Sequence, residues 1–337
     1  VLGGQVRIHV AYTGGTIGMI HSPEGLLPGA DVQGWLSNVL EGTQIDPEQV
    51  SFTTFDPLID SSNATPAHWQ LIIDDLIAHW EKADAFVVLH GTDTMSYAAS
   101  ALSYALTGFG KPVIVTGSQH PLGVVESDAI ANVTGALNAA ISGKATGVTL
   151  FFGHHLFAGN RVTKFSSWAF EGFTAPSTGP LARTGTPWHW YASPIPATGW
   201  PNPKPYVRQD IAVLDLVPGI SAERLRAMLD PAPSAVLVRA YGVGNVPDEE
   251  PGLARVVIDL INNGTPVIIS SQCLQAEVIL GRYAASSPLV KAGAIGTGDM
   301  TLEAAYTKLV FLLSQGLQGD ELRHWMATPI AGELSLH

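Results

Sequence analysis

Apolar and polar positions alternate in blocks along the first 180 residues. Short runs rich in β-branched residues fall at 6–11, 85–89, 112–115 and 148–152, and between them apolar residues recur at helical spacing over 66–83, 96–106 and 128–141. Strands that are apolar throughout, separated by amphipathic helices, predict a parallel sheet covered on both faces. From about 179 to 209 the pattern gives way to a stretch rich in Pro, Trp and Gly, with three prolines between Pro201 and Pro205. No helix fits there, so it reads as a linker or an extended edge segment. The alternation then resumes, with strands over 212–216, 235–239 and 266–270 and helices over 221–229, 252–262 and 301–317. The expected fold is α/β: a larger N-terminal, doubly wound, mostly parallel sheet domain over 1–185, a Pro-rich linker over 186–210 and a smaller C-terminal α/β domain over 211–337.

Composition narrows the function classes. The 337 residues suffice for two cores. Hydrophobic residues make up 46% and charged residues 14%, which favours deep burial and a surface partly covered in an oligomer. With 17 basic against 29 acidic residues, a net charge of -12 and no Lys/Arg cluster, nucleic acid and anionic membrane surfaces are poor partners. Cys273 is the only cysteine, which rules out an intramolecular disulfide and a Cys-based zinc site. No apolar run approaches the ~20 residues of a membrane helix. The opening VLGGQVRIHVAY lacks the basic region and apolar core of a signal peptide, with processing before Val1 left open.

In parallel sheets, ligands gather at the carboxyl ends of strands. The run at 6–11 is followed by TGGTIG, the run at 85–89 by HGTDTM, and the run at 148–152 by a stretch carrying Lys164. TGGTIG matches neither phosphate-binding glycine pattern. It is either a tight turn whose threonine caps a helix or a nucleophile loop, with Thr16 supplying an oxygen and nearby backbone N–H groups receiving an oxyanion. Thr92 and Asp93 are ordinary residues for a helix start, and they also set a hydroxyl beside a carboxylate. A threonine attacks only when a base takes its proton, and a lysine is that base only as the neutral amine. A Thr92–Lys164 pair oriented by Asp93 would meet the requirement, whereas Lys164 alone reads as a surface lysine. Asp60, Ser61 and Ser62 precede a helix beginning at Pro66, where they could cap it or bind a carboxylate. The eleven histidines show no H-x-x-x-H or H-E-x-x-H spacing, so no metal site is expected.

Taken in order, these pieces resemble the bacterial-type L-asparaginase family, most closely its type I, cytoplasmic branch. YTGGTIGM (12–19) and LHGTDTMSY (89–97) resemble its two signatures. DSS (60–62), KPVIVTGSQ (111–119), GNRVTK (159–164), YGVGN (241–245), SQC (271–273) and DMTLEAA (299–305) occur in family order. The resemblance implies hydrolysis of L-asparagine to L-aspartate and ammonia without cofactor or metal, by a cytoplasmic homodimer or homotetramer arranged as a dimer of dimers. Thr16 matches the nucleophile, and Thr92, Asp93 and Lys164 match a second catalytic group. Asp93 also matches the carboxylate that receives the substrate's α-ammonium, and Ser61, between Asp60 and Ser62, matches the residue that holds its α-carboxylate. On this reading the two glycines let the backbone approach a small amide and leave Thr16 mobile enough to close over it.

Two further assignments rest on the same resemblance. Thr163, Arg239, Ser271, Gln272 and Cys273 resemble a second, allosteric asparagine site, the alternative being that Cys273 is a small buried hydrophobe. Leu26 stands ten residues after Thr16, where many relatives carry a tyrosine, and Tyr283 is the candidate proton relay in its place. Competing readings are a glutaminase-asparaginase, an amidotransferase-type amidohydrolase subunit, and a non-enzymatic amino-acid sensor. The first differs by one methylene of substrate, worth ~1–3 kcal/mol. The last has no use for a hydroxyl–lysine pair.

Overall fold

The chain was analysed as a computed structural model that describes residues 6–191, 197–249, 252–280 and 287–336. Tyr283 lies outside the described residues. The N-terminal half contains β1 (Ile8–Tyr12), β2 (Met19–Ser22), β3 (Gly25–Pro28), α1 (Val32–Glu41), β4 (Val50–Thr54), α2 (Pro66–Ala78), β5 (Ala85–Leu89), α3 (Met95–Ala105), β6 (Val113–Thr116), α4 (Ala129–Ile141), β7 (Val148–Phe152) and β8 (His155–Ala158). Short strands follow: β9 (Thr163–Lys164), β10 (Phe173–Thr174), β11 (Ala182–Arg183) and β12 (His189–Trp190). The C-terminal half has β13 (Ile211–Asp215), α5 (Ala222–Met228), β14 (Ala235–Ala240), α6 (Leu253–Asn262), β15 (Val267–Ser271), α7 (Ser287–Ala292), β16 (Ile295–Gly296), α8 (Leu302–Ser314) and α9 (Gly319–Ala327).

The large sheet runs β12-β11-β8-β7-β6-β5-β1-β4 and the small one β13-β14-β15-β16. From β4 to β7 the large sheet is parallel, and β8, β11 and β12 extend it in antiparallel fashion. The small sheet is parallel throughout. Period-two alternation sorts each strand between two cores. On β5, Phe86 and Val88 face the layer of α2 and α3, while Ala85, Val87 and Leu89 face the layer of α1 and α4. The first of these cores continues through Tyr104 and Phe311 onto α8, so the two sheets share apolar packing.

The chain visits β1, then β4 on one side, then β5 on the other. Connections leaving β1 and β5 therefore diverge, and a crevice opens at their carboxyl ends.

Several elements differ from the sequence pattern. The hairpin β2–β3 and strand β4 carry exposed or half-buried residues, so they lack the continuous apolar run that marks a central strand. The helix expected over 66–83 ends at Ala78 with His79 as its cap. The segment read as a linker contributes β12 to the sheet edge, where Trp188 and Trp190 stack at 5.9 Å. No helix among the described residues is long and apolar enough to cross a membrane.

The C-terminal tail is held by a buried ion pair. Lys308 and Glu333 are both fully buried and 2.5 Å apart. Lys308 Nζ also donates to the carbonyls of Met326 and Thr328, while Glu333 accepts from the backbone N–H groups of Ile330 and Ala331. Burial pushes the Lys308 ammonium below its ordinary pKa, and the Glu333 charge opposes that shift. Breaking such a pair strands a charge in the core. Lys308→Met is expected to cost ~3–5 kcal/mol in urea unfolding, and a loss below ~1 kcal/mol would show that the pair does not anchor the tail.

Candidate active site at the carboxyl ends of β1 and β5

Three turns meet at the crevice. The β1 exit runs through Thr13, Gly14 and Gly15 into a 3-10 turn at Thr16–Gly18. Gly14 and Gly15 have φ of +141° and +99°. A Cβ on Gly14 would come within 2.2 Å of the Ile59 carbonyl oxygen, and one on Gly15 within 2.5 Å of Gly91 Cα. Gly91 abuts the buried Ser61 in turn, where a Cβ would fall 2.4 Å from the Ser61 hydroxyl. The glycines thus serve backbone-to-backbone packing of neighbouring turns. Thr16 and Thr92, each the residue after a glycine of this contact, flank it.

Lys164, on β9, reaches the second threonine. Its Nζ donates to Thr92 Oγ1 at 2.9 Å and to Asp93 Oδ1 at 2.8 Å. Thr92 is buried, whereas the Asp93 side chain is 61% exposed and keeps a free face toward solvent. The Thr16 side chain is half-buried and makes no hydrogen bond to the described residues. The Tyr12 hydroxyl occupies the space a Cβ on Gly18 would need, and burial raises the pKa of that phenol. Leu26 lies on β3 opposite His21, 40% exposed.

Of the three residues expected to hold substrate beside the turn, only Ser61 packs against Gly91. Asp60 caps the following turn instead, accepting from Ser62 N at 3.0 Å, Ser62 Oγ at 2.9 Å and Asn63 Nδ2 at 2.9 Å. Thr94, which sequence reasoning did not single out, ties the turns together through its Oγ1, 2.7 Å from the Ser61 carbonyl. Gln119 was also passed over. Its side chain donates to the carbonyls of Ser166 and Ala169, while Asp128 accepts from its backbone N–H, so the segment after Lys164 is fastened to the β6 exit. Both residues lie in the quoted motifs, and their polar character at a strand exit was the available signal.

A second cavity, of about 90 Å³, lies between β9 and the small sheet, with Thr163, Arg239, Ser271, Cys273 and Glu303 among its walls. Thr163 Oγ1 donates to Glu303 Oε1 at 2.6 Å, and burial raises the Glu303 carboxyl above its ordinary pKa. Arg239 pairs with Asp215 at 3.0 Å, yet its Nε and the nearby Tyr241 hydroxyl are buried without a partner among the described residues. Two expectations change here. Cys273 is exposed rather than a buried hydrophobe. Gln272 is not part of the wall, because its side-chain N–H groups bond the carbonyls of Leu216 and Arg239. Another cavity, of about 720 Å³, opens at the amino ends of β5–β7, and none of the residues discussed for chemistry lines it.

Parallel strands with a switch-point crevice at their carboxyl ends define an α/β protein of the ligand-binding, doubly wound kind. Residues 7–196 match the family described as Asparaginase, N-terminal, and residues 210–326 match the Glutaminase/Asparaginase C-terminal domain. The chain is 42% identical to L-asparaginase 1 of Escherichia coli (strain K12), over 97% of this chain and 98% of that one. It is 34% identical to the 60 kDa lysophospholipase of Homo sapiens, over 99% of this chain but 62% of that protein. The crystal structure of L-asparaginase I from Vibrio cholerae O1 biovar eltor superposes with a TM-score of 0.86 at 38% identity, covering 99% of this chain and 100% of that one. The chain belongs to the asparaginase family.

The glycine contact gives a direct test. Gly15 sits at φ 99°, ψ 174°, a region essentially closed to other residues at a cost of ~1–3 kcal/mol. Gly15→Ala is expected to lower stability by at least that much, with a shifted Thr16 read as a lower kcat. Unchanged melting and unchanged turnover would show that the two turns can separate freely.

Proposed function

We propose that the chain is an L-asparaginase, hydrolysing L-asparagine to L-aspartate and ammonia without metal or cofactor. Thr16 Oγ attacks the side-chain amide carbon, and its proton passes to the departing nitrogen, which leaves as ammonia. Water then cleaves the ester and restores the Thr16 hydroxyl. Nearby backbone N–H groups of the glycine turns receive the oxyanion. Lys164, as the amine, takes the proton at the Thr92 hydroxyl, and Asp93 orients it. The free face of Asp93 receives the α-ammonium and Ser61 the α-carboxylate, so the site reads both charges of an amino acid. With Leu26 in the tyrosine's place, we assign the proton relay to Tyr283. By the same resemblance we place the enzyme in the cytoplasm as a homotetramer.

The observation that carries this reading is Lys164 Nζ within 2.9 Å of Thr92 Oγ1 and 2.8 Å of Asp93, beside the turn that presents Thr16. Ammonia release from asparagine and glutamine at matched concentrations separates it from a glutaminase. Thr16→Ala and Thr92→Val should each lower kcat at least ~100-fold, and Tyr283→Phe ~10-fold. Retention of wild-type kcat in any of these variants removes that residue from the mechanism.

We also propose that the smaller cavity binds asparagine as an effector. What supports this is the Arg239 guanidinium, whose Nε has no partner among the described residues, and the buried Glu303 carboxyl group in the walls of one small space, a match to the two charged ends of an amino acid. Velocity against asparagine concentration is expected to be sigmoidal, and Arg239→Met should make it hyperbolic at higher asparagine demand. A hyperbolic wild-type curve from a confirmed tetramer would refute the effector site.

A further inference from the structure

One cluster of potential metal ligands among the described residues belongs to neither site: His9, Asp75 and His79, with one donor atom from each lying within 4.8 Å of the others. His9 is fully buried on β1, while the Asp75 and His79 side chains are 12% and 27% exposed at the end of α2. We propose that this cluster binds a divalent first-row transition ion of the zinc type, held by the two imidazoles and the carboxylate.

The argument begins with placement. Asp75 and His79 are four residues apart and so share one face of α2, and the strand supplies the third donor. His9 Nε2 is 2.9 Å from Asp75 Oδ2, and His79 Nδ1 is 3.4 Å from Asp75 Oδ1. Ligands ~2.0–2.2 Å from a tetrahedral ion stand about 3.3 Å apart; these separations are of that size and run to the two oxygens of the one carboxylate, which thus stands between the imidazoles. His9 already has the outer partner that metal-bound histidines use, since its Nδ1 is 2.8 Å from Ser51 Oγ. The donors also lie at the carboxyl end of α2, where the helix dipole favours a cation. Two nitrogens and one carboxylate select zinc and its neighbours over calcium or magnesium. Thr53 Oγ1, 3.5 Å from His9 Nε2, and the solvent side leave a fourth position for water.

Binding requires one adjustment. The His9 and His79 rings are stacked, with centroids 3.8 Å apart and planes inclined by 11°. Parallel rings cannot both aim an in-plane lone pair at one ion. His79 must therefore turn and release its 2.8 Å bond to the Asp75 carbonyl, which its position as the half-buried cap of α2 permits. The ion replaces the proton between His9 Nε2 and Asp75, and that proton leaves to solvent, so affinity falls as pH falls. Histidine spacing alone hid the cluster because His9 and Asp75 are 66 residues apart in sequence.

The test uses the full chain after chelator treatment, titrated with Co²⁺ in the visible spectrum and with Zn²⁺ by calorimetry. The expected result is one equivalent bound, Co²⁺ bands of four-coordinate intensity, and a higher melting temperature with Zn²⁺. His79→Gln, at a half-exposed helix end where folding should survive, and His9→Gln should each weaken binding at least ~10-fold, the scale set even by loss of an outer partner. Absence of stoichiometric binding to the wild-type chain, or binding unchanged in His79→Gln, overturns the proposal. None of these readouts depends on asparagine turnover.

Discussion

Gly15 and Gly91 meet backbone to backbone, and most of the crevice follows from that contact. A methyl group on either residue would drive the β1 turn away from the β5 turn or from Ser61. Because neither has a side chain, the following residues, Thr16 and Thr92, are carried into one neighbourhood by strands that are themselves paired along their length, Ile8 to Ala85 through Tyr12 to Leu89. The register is rigid, since slipping it by one residue would turn every buried side chain of β1 to the wrong core. The position of the chemistry is therefore set by a large sheet, and only the last few residues by loops.

The third strand exit is fixed differently. Thr163 and Lys164 are adjacent on β9, so their side chains leave on opposite sides: one bonds Glu303, the other Thr92 and Asp93. What holds this two-residue strand is the segment before it. Arg161, almost fully buried, pairs with Asp299 and bonds the Gly332 carbonyl and Ser335 hydroxyl, while Asn160 bonds the Ala331 carbonyl. The tail that receives these bonds is in turn pinned by Lys308 and Glu333. Any displacement of Thr163 by a ligand in the smaller cavity would have to be absorbed within β9, because the flanking backbone is clamped. Its nearest outlet is Lys164.

The legible parts of this chain were those with a local signature. Central strands β5, β6 and β7 stood out because burial on both faces demands an unbroken apolar run. The turns at Thr16 and Thr92 stood out because glycine and hydroxyl residues at a strand exit are unusual. Strand β4 was missed because it lies at the sheet edge, where alternate residues face water. The β2–β3 hairpin, a separate two-stranded sheet, buries no residue fully and so leaves no core-facing pattern to read. Gln272 illustrates a different limit: its place in a motif said nothing of its side chain, which satisfies two backbone carbonyls. The His9, Asp75 and His79 cluster shows the third limit, for pairing between a strand and a helix leaves no periodic trace in sequence.

An exposed lysine–carboxylate pair is worth little, typically under ~1 kcal/mol, because water screens it. The Asp93 side chain is 61% exposed, and Lys164 is 18% exposed. Electrostatic interactions of this kind gain strength where water is excluded. Apolar side chains are turned outward on the two segments that adjoin these residues in sequence: Ile20, Leu26 and Leu27 on the hairpin after Thr16, and Phe165, Trp168 and Phe170 after Lys164. A movement that laid either segment over the crevice would remove apolar area from water, at roughly 25 cal/mol per Å², and would exclude water from the Lys164–Asp93 pair at the same time. The exposure that leaves the Asp93 pair weak would then be coupled to the driving force for covering it, and the 40% exposed leucine at position 26 would add to that force.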